Sequence, residues 1–170
     1  MNTITIQKYL SPCGVLVLGS FEGCLCLCDW EGGKHRNSTE LRLIKLLNAE
    51  FQEGFSEVIE KTNKQLDEYF ARERRFFDLP LLFAGSDFQK KVWGELLNIP
   101  YGTTISYGEM ASRLGMSNAV RALANANGAN ALSVIVPCHR VIGSNGSLTG
   151  YGGGLEIKRF LLELESRTIL

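Results

Sequence analysis

The chain has 170 residues, 45% hydrophobic and 21% charged, a mixture that builds one large or two small folded domains and excludes disordered, collagen-like and low-complexity chains. Eighteen Lys and Arg balance eighteen Asp and Glu, so the global basic excess of many nucleic-acid binders is missing and an acidic partner must meet a local patch. No apolar run approaches the ~20 residues of a membrane-spanning helix. The start, Met1 to Lys8, alternates polar and apolar residues and lacks the basic-then-apolar pattern of a secretory leader. Five cysteines, an odd number, cannot all pair internally and fit a reducing compartment. The expectation is a cytoplasmic protein with no membrane partner.

Leu16 to Phe21 and Cys24 to Trp30 are short apolar runs around Glu22-Gly23 and predict a β-hairpin, with Met1 to Lys8 available as a third strand. A helix is predicted from about Thr39, with Leu41, Ile44 and Leu47 on its inner face, and a second over about Ser56 to Ala71, with Ile59, Leu66 and Phe70 spaced for burial. Phe76 to Leu82 reads as an extended segment returning to the sheet. These elements describe a small α/β domain over residues 1–84, ending near Ala84-Gly85.

Residues 85–170 are mainly helical in pattern. Ser86 and Gln89 have capping-box spacing before a helix that carries Phe88, Val92, Trp93, Leu96 and Leu97. Ser106 and Glu109 repeat the spacing before a short helix that Gly115 breaks. A further helix follows over Asn118 to about Asn127, rich in Ala and Asn with Arg121 its only charge. Short helix, glycine turn and helix is the layout of a helix-turn-helix. Leu132 to Val136 reads as a short strand stopped by Pro137, and a last helix is expected over Glu156 to Glu165.

The densest chemistry is Pro137-Cys138-His139-Arg140-Val141-Ile142. A thiol is a nucleophile only as thiolate, and from a free pKa of about 8.5 it needs a neighbouring base or cation. His139 and Arg140 supply one of each, and the only other histidine, His35, has no motif around it.

This run resembles the active-site signature of the 6-O-alkylguanine-DNA alkyltransferases, the methylated-DNA–protein-cysteine methyltransferases. The similarity extends through Ile105 to Ala111, Arg121-Ala122-Leu123, Asn125 to Gly128, Asn130, Gly150 to Leu155 and Lys158, over about Ser86 to Glu165. The resemblance implies a ribonuclease H-like N-terminal α/β domain and a winged helix-turn-helix C-terminal domain. It implies Cys138 as alkyl acceptor, His139 as the base that takes its proton through a water, and Glu165 as the group orienting that histidine. Tyr107 would rotate the 3′ phosphate and protonate the departing guanine. Arg121 would fill the stack behind an extruded nucleotide, with Tyr107, Ala122 and Asn118 beside it on the DNA. Val141, Tyr151, Gly152, Gly153 and Lys158 would form the substrate pocket, and Asn130 a structural hinge.

Independent chemistry supports these roles. An alkylated exocyclic oxygen cannot reach a sulfur from inside the base stack, so the base must be flipped out, at a few kcal/mol that a side-chain plug offsets. The implied function is single-turnover DNA repair on 6-O-methylguanine, with 4-O-methylthymine a second candidate, by a monomer that needs no cofactor and binds duplex DNA. Three positions depart from the family's common pattern: Gly152 stands where some relatives have serine, and Ala131 and Ser133 where prolines occur. A non-catalytic lesion binder of the alkyltransferase-like type would lack the nucleophile that Cys138 provides. A Cys/His hydrolase would have only His35 and His139 to draw on, and a transferase fused to a regulator would need residues for a sensor domain.

Cys24, Cys26 and Cys28 alternate along one predicted strand. Residues i and i+2 of a regular strand are about 6.5 to 7 Å apart, whereas zinc-bound sulfurs lie within ~4 Å of one another. The three are read as packing on one buried face, and no metal is expected. The formal charge is unevenly divided: residues 1–84 hold 10 basic and 12 acidic side chains, residues 85–170 hold 8 and 6.

Overall fold

The computed structural model describes residues 1–166. The chain opens with a meander, β1 (Asn2–Ser11), β2 (Gly14–Phe21) and β3 (Cys24–Trp30), then passes through helix α1 (Arg36–Leu47) to β4 (Ala49–Glu53), which lies parallel to β1. The resulting sheet has the order β3-β2-β1-β4. Helix α2 (Glu57–Phe70) is capped by Ser56, whose hydroxyl accepts from the amide of Ile59. Phe76 to Leu82 does return to the sheet, through a parallel bridge between Leu81 and Leu25.

Three features of this half differ from expectation. Helix α1 starts at Arg36, and its inner row is Thr39 and Leu43, with Leu41 67% exposed. Spacing by four residues puts Thr39, Leu43 and Leu47 on one face, a row hidden in the sequence by the polar threonine. Strand β4 was not signalled, because Ala-Glu-Phe-Gln-Glu at a sheet edge has little to bury; Asn48, in the left-handed region at φ 47°, turns the chain into it. The three cysteines of β3 do not share a face. Gly19 pairs with Leu27 and Ser20 with Leu25, so Cys26 is the extra residue of a bulge. Cys26 joins a small cluster with Ile4, Val17 and Leu43, while Cys28 belongs to the main core with Leu16, Leu18 and Trp30.

The remaining chain forms α3 (Asp87–Leu96), β5 (Ile105–Ser106), α4 (Tyr107–Arg113), α5 (Val120–Gly128), a 3₁₀ turn (Cys138–Arg140), β6 (Val141–Ile142) and α6 (Leu155–Ser166). The Ser86 and Gln89 side chains close the capping box of α3, and the Ser106 hydroxyl caps α4 by accepting from the amide of Glu109. Asn118 lies outside α5, which begins two residues later. Strands β5 and β6 pair in parallel beside the α4–α5 helix-turn-helix.

Leu132 to Val136 is not a strand. It bridges Cys28 of β3 only at Leu132 and then folds into two successive tight turns. The amide of Ile135 donates to Ser133 O and the amide of Cys138 to Val136 O, both at 2.8 Å. Val134 at the centre of the first has φ 71°, and Pro137 at the centre of the second has φ −80° and ψ 64°, the geometry of γ-turns. A β-branched residue in the left-handed region stores strain of order 1–3 kcal/mol, held here by burial of Val134 and by Asn130. That side chain accepts from the amide of Leu132 at 3.0 Å and donates to Val136 O at 2.9 Å.

The main core runs across both halves, from Leu16, Trp30 and Tyr69 to Trp93, Leu123 and Leu161. The corrected face of α1 can be tested by chemical denaturation. Leu43→Ala is expected to cost about 2–5 kcal/mol, as large-to-small core substitutions do, while Leu41→Ala changes stability by no more than about 0.5 kcal/mol.

Candidate active site

Cys138 opens the 3₁₀ turn and sits on the wall of a cleft of about 520 Å³. Tyr107, Asn127, Asn130, Ser133, Tyr151 and Gly152 line the same cleft. The thiol is buried, and that burial pushes its pKa up to about 11 against the opposing pull of Asn130 and Lys158. Arg140 does not act on it as a cation. Its guanidinium turns the other way, donating from Nε to Glu165 Oε1 at 2.8 Å, from Nη2 to Glu165 Oε2 at 3.0 Å and from Nη1 to Ile99 O at 2.8 Å.

Behind the thiol, His139 is fully buried, and its Nε2 lies 2.7 Å from Glu165 Oε2. Glu165 also accepts from the Tyr69 hydroxyl at 2.6 Å. Burial alone would raise the Glu165 carboxyl, but His139 and Arg140 together hold it well below the usual carboxylate range. Burial lowers His139 below its ordinary value, more than Glu165 raises it. The resting pair is therefore a carboxylate and a neutral imidazole that donates from Nε2. Nδ1 is left as the acceptor, and it has no hydrogen-bond partner among the described residues.

Lys158, buried on α6, donates from Nζ to Val141 O at 2.8 Å, Thr149 O at 2.9 Å and Gly150 O at 3.2 Å. It staples the turn after Cys138 to the glycine-rich segment, and burial lowers its pKa to about 8. Tyr151 accepts at its hydroxyl from Trp30 Nε1 at 3.0 Å. A Cβ on Gly153 would lie 2.6 Å from the Trp30 ring, so only glycine fits against that indole. Asn127 donates from Nδ2 towards the Tyr107 hydroxyl at 3.5 Å and towards Cys138 O at 3.4 Å. Burial raises the Tyr107 pKa, so the phenol keeps its proton.

Of the residues singled out in the sequence, Cys138, Tyr107, Asn130, Tyr151 and Gly152 meet in the cleft. His139, Glu165, Lys158 and Val141 lie behind it, and Gly153 packs on Trp30. Arg121 and Ala122 are exposed on the first turn of α5, and Asn118 is exposed just before it. Residues that had no site role in the sequence reading are Tyr69, which bonds Glu165 behind the cleft, and Asn127, Asp29, Lys34, His35 and Thr39, which line the cleft. Asp29 is buried there, and burial raises its pKa to about 6 against the attraction of Arg36 and Arg42. Only the fold brings these residues near Cys138. Among the described residues no Cys, His, Asp and Glu group is arranged to hold a metal ion, and no helix is long and apolar enough to cross a membrane.

The Glu165 network makes a stability prediction with a definite sign. A carboxyl held below its unfolded value of about 4.3 adds stability that is complete above that pH and lost as the pH falls. Glu165→Gln is expected to cost about 3–5 kcal/mol at pH 7, because the Arg140 charge stays buried without its partner. Urea midpoints from pH 7 to 3 should show that this gap narrows on acidification.

Residues 87–167 match the family described as "6-O-methylguanine DNA methyltransferase, DNA binding domain". The methylated-DNA–protein-cysteine methyltransferase of Mycobacterium tuberculosis is 58% identical over 101 residues, 59% of this chain and 61% of that protein. The match thus spans less than two thirds of the mycobacterial relative. The protein of the same name from Methanosarcina acetivorans is 43% identical over 155 residues, 91% of this chain and 94% of that protein. Among solved structures, M. tuberculosis OGT in complex with DNA superposes with TM-score 0.81 at 40% identity, covering 96% of this chain and 92% of that one. The O6-methylguanine-DNA methyltransferase of Pyrococcus kodakaraensis gives 0.71 at 30% identity over 96% and 99%. With near-complete coverage at this level of identity, the chain belongs to the methylated-DNA–protein-cysteine methyltransferase family.

Proposed function

We propose that this chain repairs DNA by direct reversal, taking the alkyl group of a flipped-out 6-O-methylguanine onto Cys138 in one irreversible turnover. The observation that carries the reading is the placement of Cys138. Its sulfur lines a cleft shared with Tyr107 and Tyr151, and its neighbour His139 is backed by a buried carboxylate.

A thiol held near pKa 11 is protonated at neutral pH, so attack requires a base at the moment of reaction. Neutral His139 supplies it at Nδ1, reached through one water, and Glu165 stabilises the imidazolium that forms. The sulfur then attacks the methyl carbon: the S–C bond forms as the C–O bond breaks, and the electron pair leaves on the guanine oxygen. Tyr107 gives its phenolic proton to that anion. His139 gains one proton and Tyr107 loses one, so the step balances without a cofactor. The product is a thioether, which water does not reverse.

In this reading Arg121 enters the duplex behind the extruded base, and Asn118, Ala122 and Tyr107 lie against the backbone. Docking through α5 in the minor groove suits a search that ignores sequence. The exposed, lightly charged face of α5 supports it. Val141, Tyr151, Gly152, Gly153 and Lys158 shape the pocket, and Asn130 is the hinge. Residues 85–170 carry this chemistry and residues 1–84 support it, and the protein works as a cytoplasmic monomer. With Gly152 in place of a serine, only the backbone amide is left as a donor at that position.

The test is incubation with duplex DNA containing 6-O-methylguanine, followed by peptide mass spectrometry. A methyl group on Cys138 is the expected result, and its absence there would reject the acceptor role. Cys138→Ser should abolish transfer with DNA binding retained. Arg121→Ala should lose more on duplex than on free 6-O-methylguanine base; equal losses would reject the plug. Because His139 is held below its ordinary pKa, it stays neutral to lower pH, and the acidic limb of the transfer-rate profile should fall below pH 6.5.

A further inference from the structure

Recognition helix α5 has no basic residue in its last turn. Its terminal carbonyls nevertheless meet a cation, which comes from the first half of the chain. Arg42 of α1 donates from Nη2 to Ala129 O at 2.8 Å, at the C-cap of α5, and from Nε to Ala84 O at 3.0 Å. Its guanidinium lies 5.4 Å from the centroid of the Trp93 ring, and Trp93 donates from Nε1 to Ala126 O at 2.8 Å. One stacked pair thus takes up two carbonyls of the final turn, where positive charge is favoured by the helix dipole.

The next residue is Asn130, whose side chain holds both ends of the loop leading to Cys138. The packing of α5 is otherwise small: Leu123, Ala126 and Asn127 are its buried residues. With little side-chain volume to fix its tilt, α5 depends on directional bonds at this end. We propose that Arg42 is a positioning residue, through which the N-terminal half sets the recognition helix, and hence the inserted Arg121, relative to Cys138. The inference rests on the proposed function for its kinetic consequence and on geometry alone for the anchoring.

Two substitutions test it. Arg42→Met keeps the aliphatic stem without the donors, and Arg42→Lys keeps one donor and the charge. Transfer to Cys138 is timed with lesion-containing duplex and with free 6-O-methylguanine base, and amide hydrogen exchange is followed at residues 126–132. For Arg42→Met the duplex rate should fall about tenfold, the scale of one charged hydrogen bond. The free-base rate should stay within about twofold, because a free base needs no Arg121 inserted in a duplex and no particular tilt of α5. Exchange at 126–132 should quicken while that of β1 to β3 is unchanged, and Arg42→Lys should recover part of both effects. Equal losses on both substrates, exchange that quickens throughout the chain, or exchange unchanged at 126–132 would each overturn the proposal. If the unsubstituted protein moves no methyl group to Cys138, the proposed function falls, and the exchange measurement still decides the anchor.

Discussion

A carboxylate taken out of water must be surrounded by donors or it neutralises itself, and the architecture around Cys138 answers that demand at Glu165. The donors arrive from separate parts of the chain: Tyr69 from α2, His139 and Arg140 from the turn at Cys138. Arg140 spends its third bond on Ile99 O, just after α3. A single buried charge therefore brings α2, the end of α3, the Cys138 turn and α6 to one point. The desolvation penalty of several kcal/mol per ion is offset only when all of these are in place. The electrostatics that hold the fold together also set the tautomer of His139.

Much of this was legible in the sequence, where local signals suffice. Ser86 with Gln89 and Ser106 with Glu109 announce helix starts because the capping hydrogen bonds are local. The hairpin at Glu22-Gly23 and the helix-turn-helix around Gly115 depend on short-range backbone preferences. The cluster Cys138-His139, with Glu165 one helix away, was readable by resemblance. What failed was non-local. Leu132 to Val136 has the composition of a strand, but the Asn130 clamp and Pro137 fold it into tight turns that aim the thiol. The bulge at Cys26 follows from pairing with Gly19 and Ser20, which no pattern within β3 reveals. Asp29, Lys34 and His35 enter the cleft only because β3 and the start of α1 pack against the glycine-rich segment.

That last contact redefines what the first half is for. Trp30 supports Tyr151 by a hydrogen bond and Gly153 by close approach, and the amide of Lys34 donates to Gly152 O at 2.8 Å. The glycine-rich segment is thus held on one side by Lys158 and on the other by β3 and its following turn. Edge strand β3 is covered in turn by Leu81 and Leu132, so on this side the sheet ends against the loop that leads to Cys138 and offers little open edge for another chain to pair with.

The burial of the Cys138 thiol carries a consequence for the lifetime of the protein. With burial pushing its pKa up to about 11, the thiol keeps its proton at neutral pH. Oxidants and stray electrophiles react with thiolate, so the resting sulfur is nearly inert to them. Burial thus keeps the Cys138 sulfur in reserve: it becomes a nucleophile only where a base takes its proton, and His139 Nδ1, buried beside it without a partner among the described residues, is free to do so.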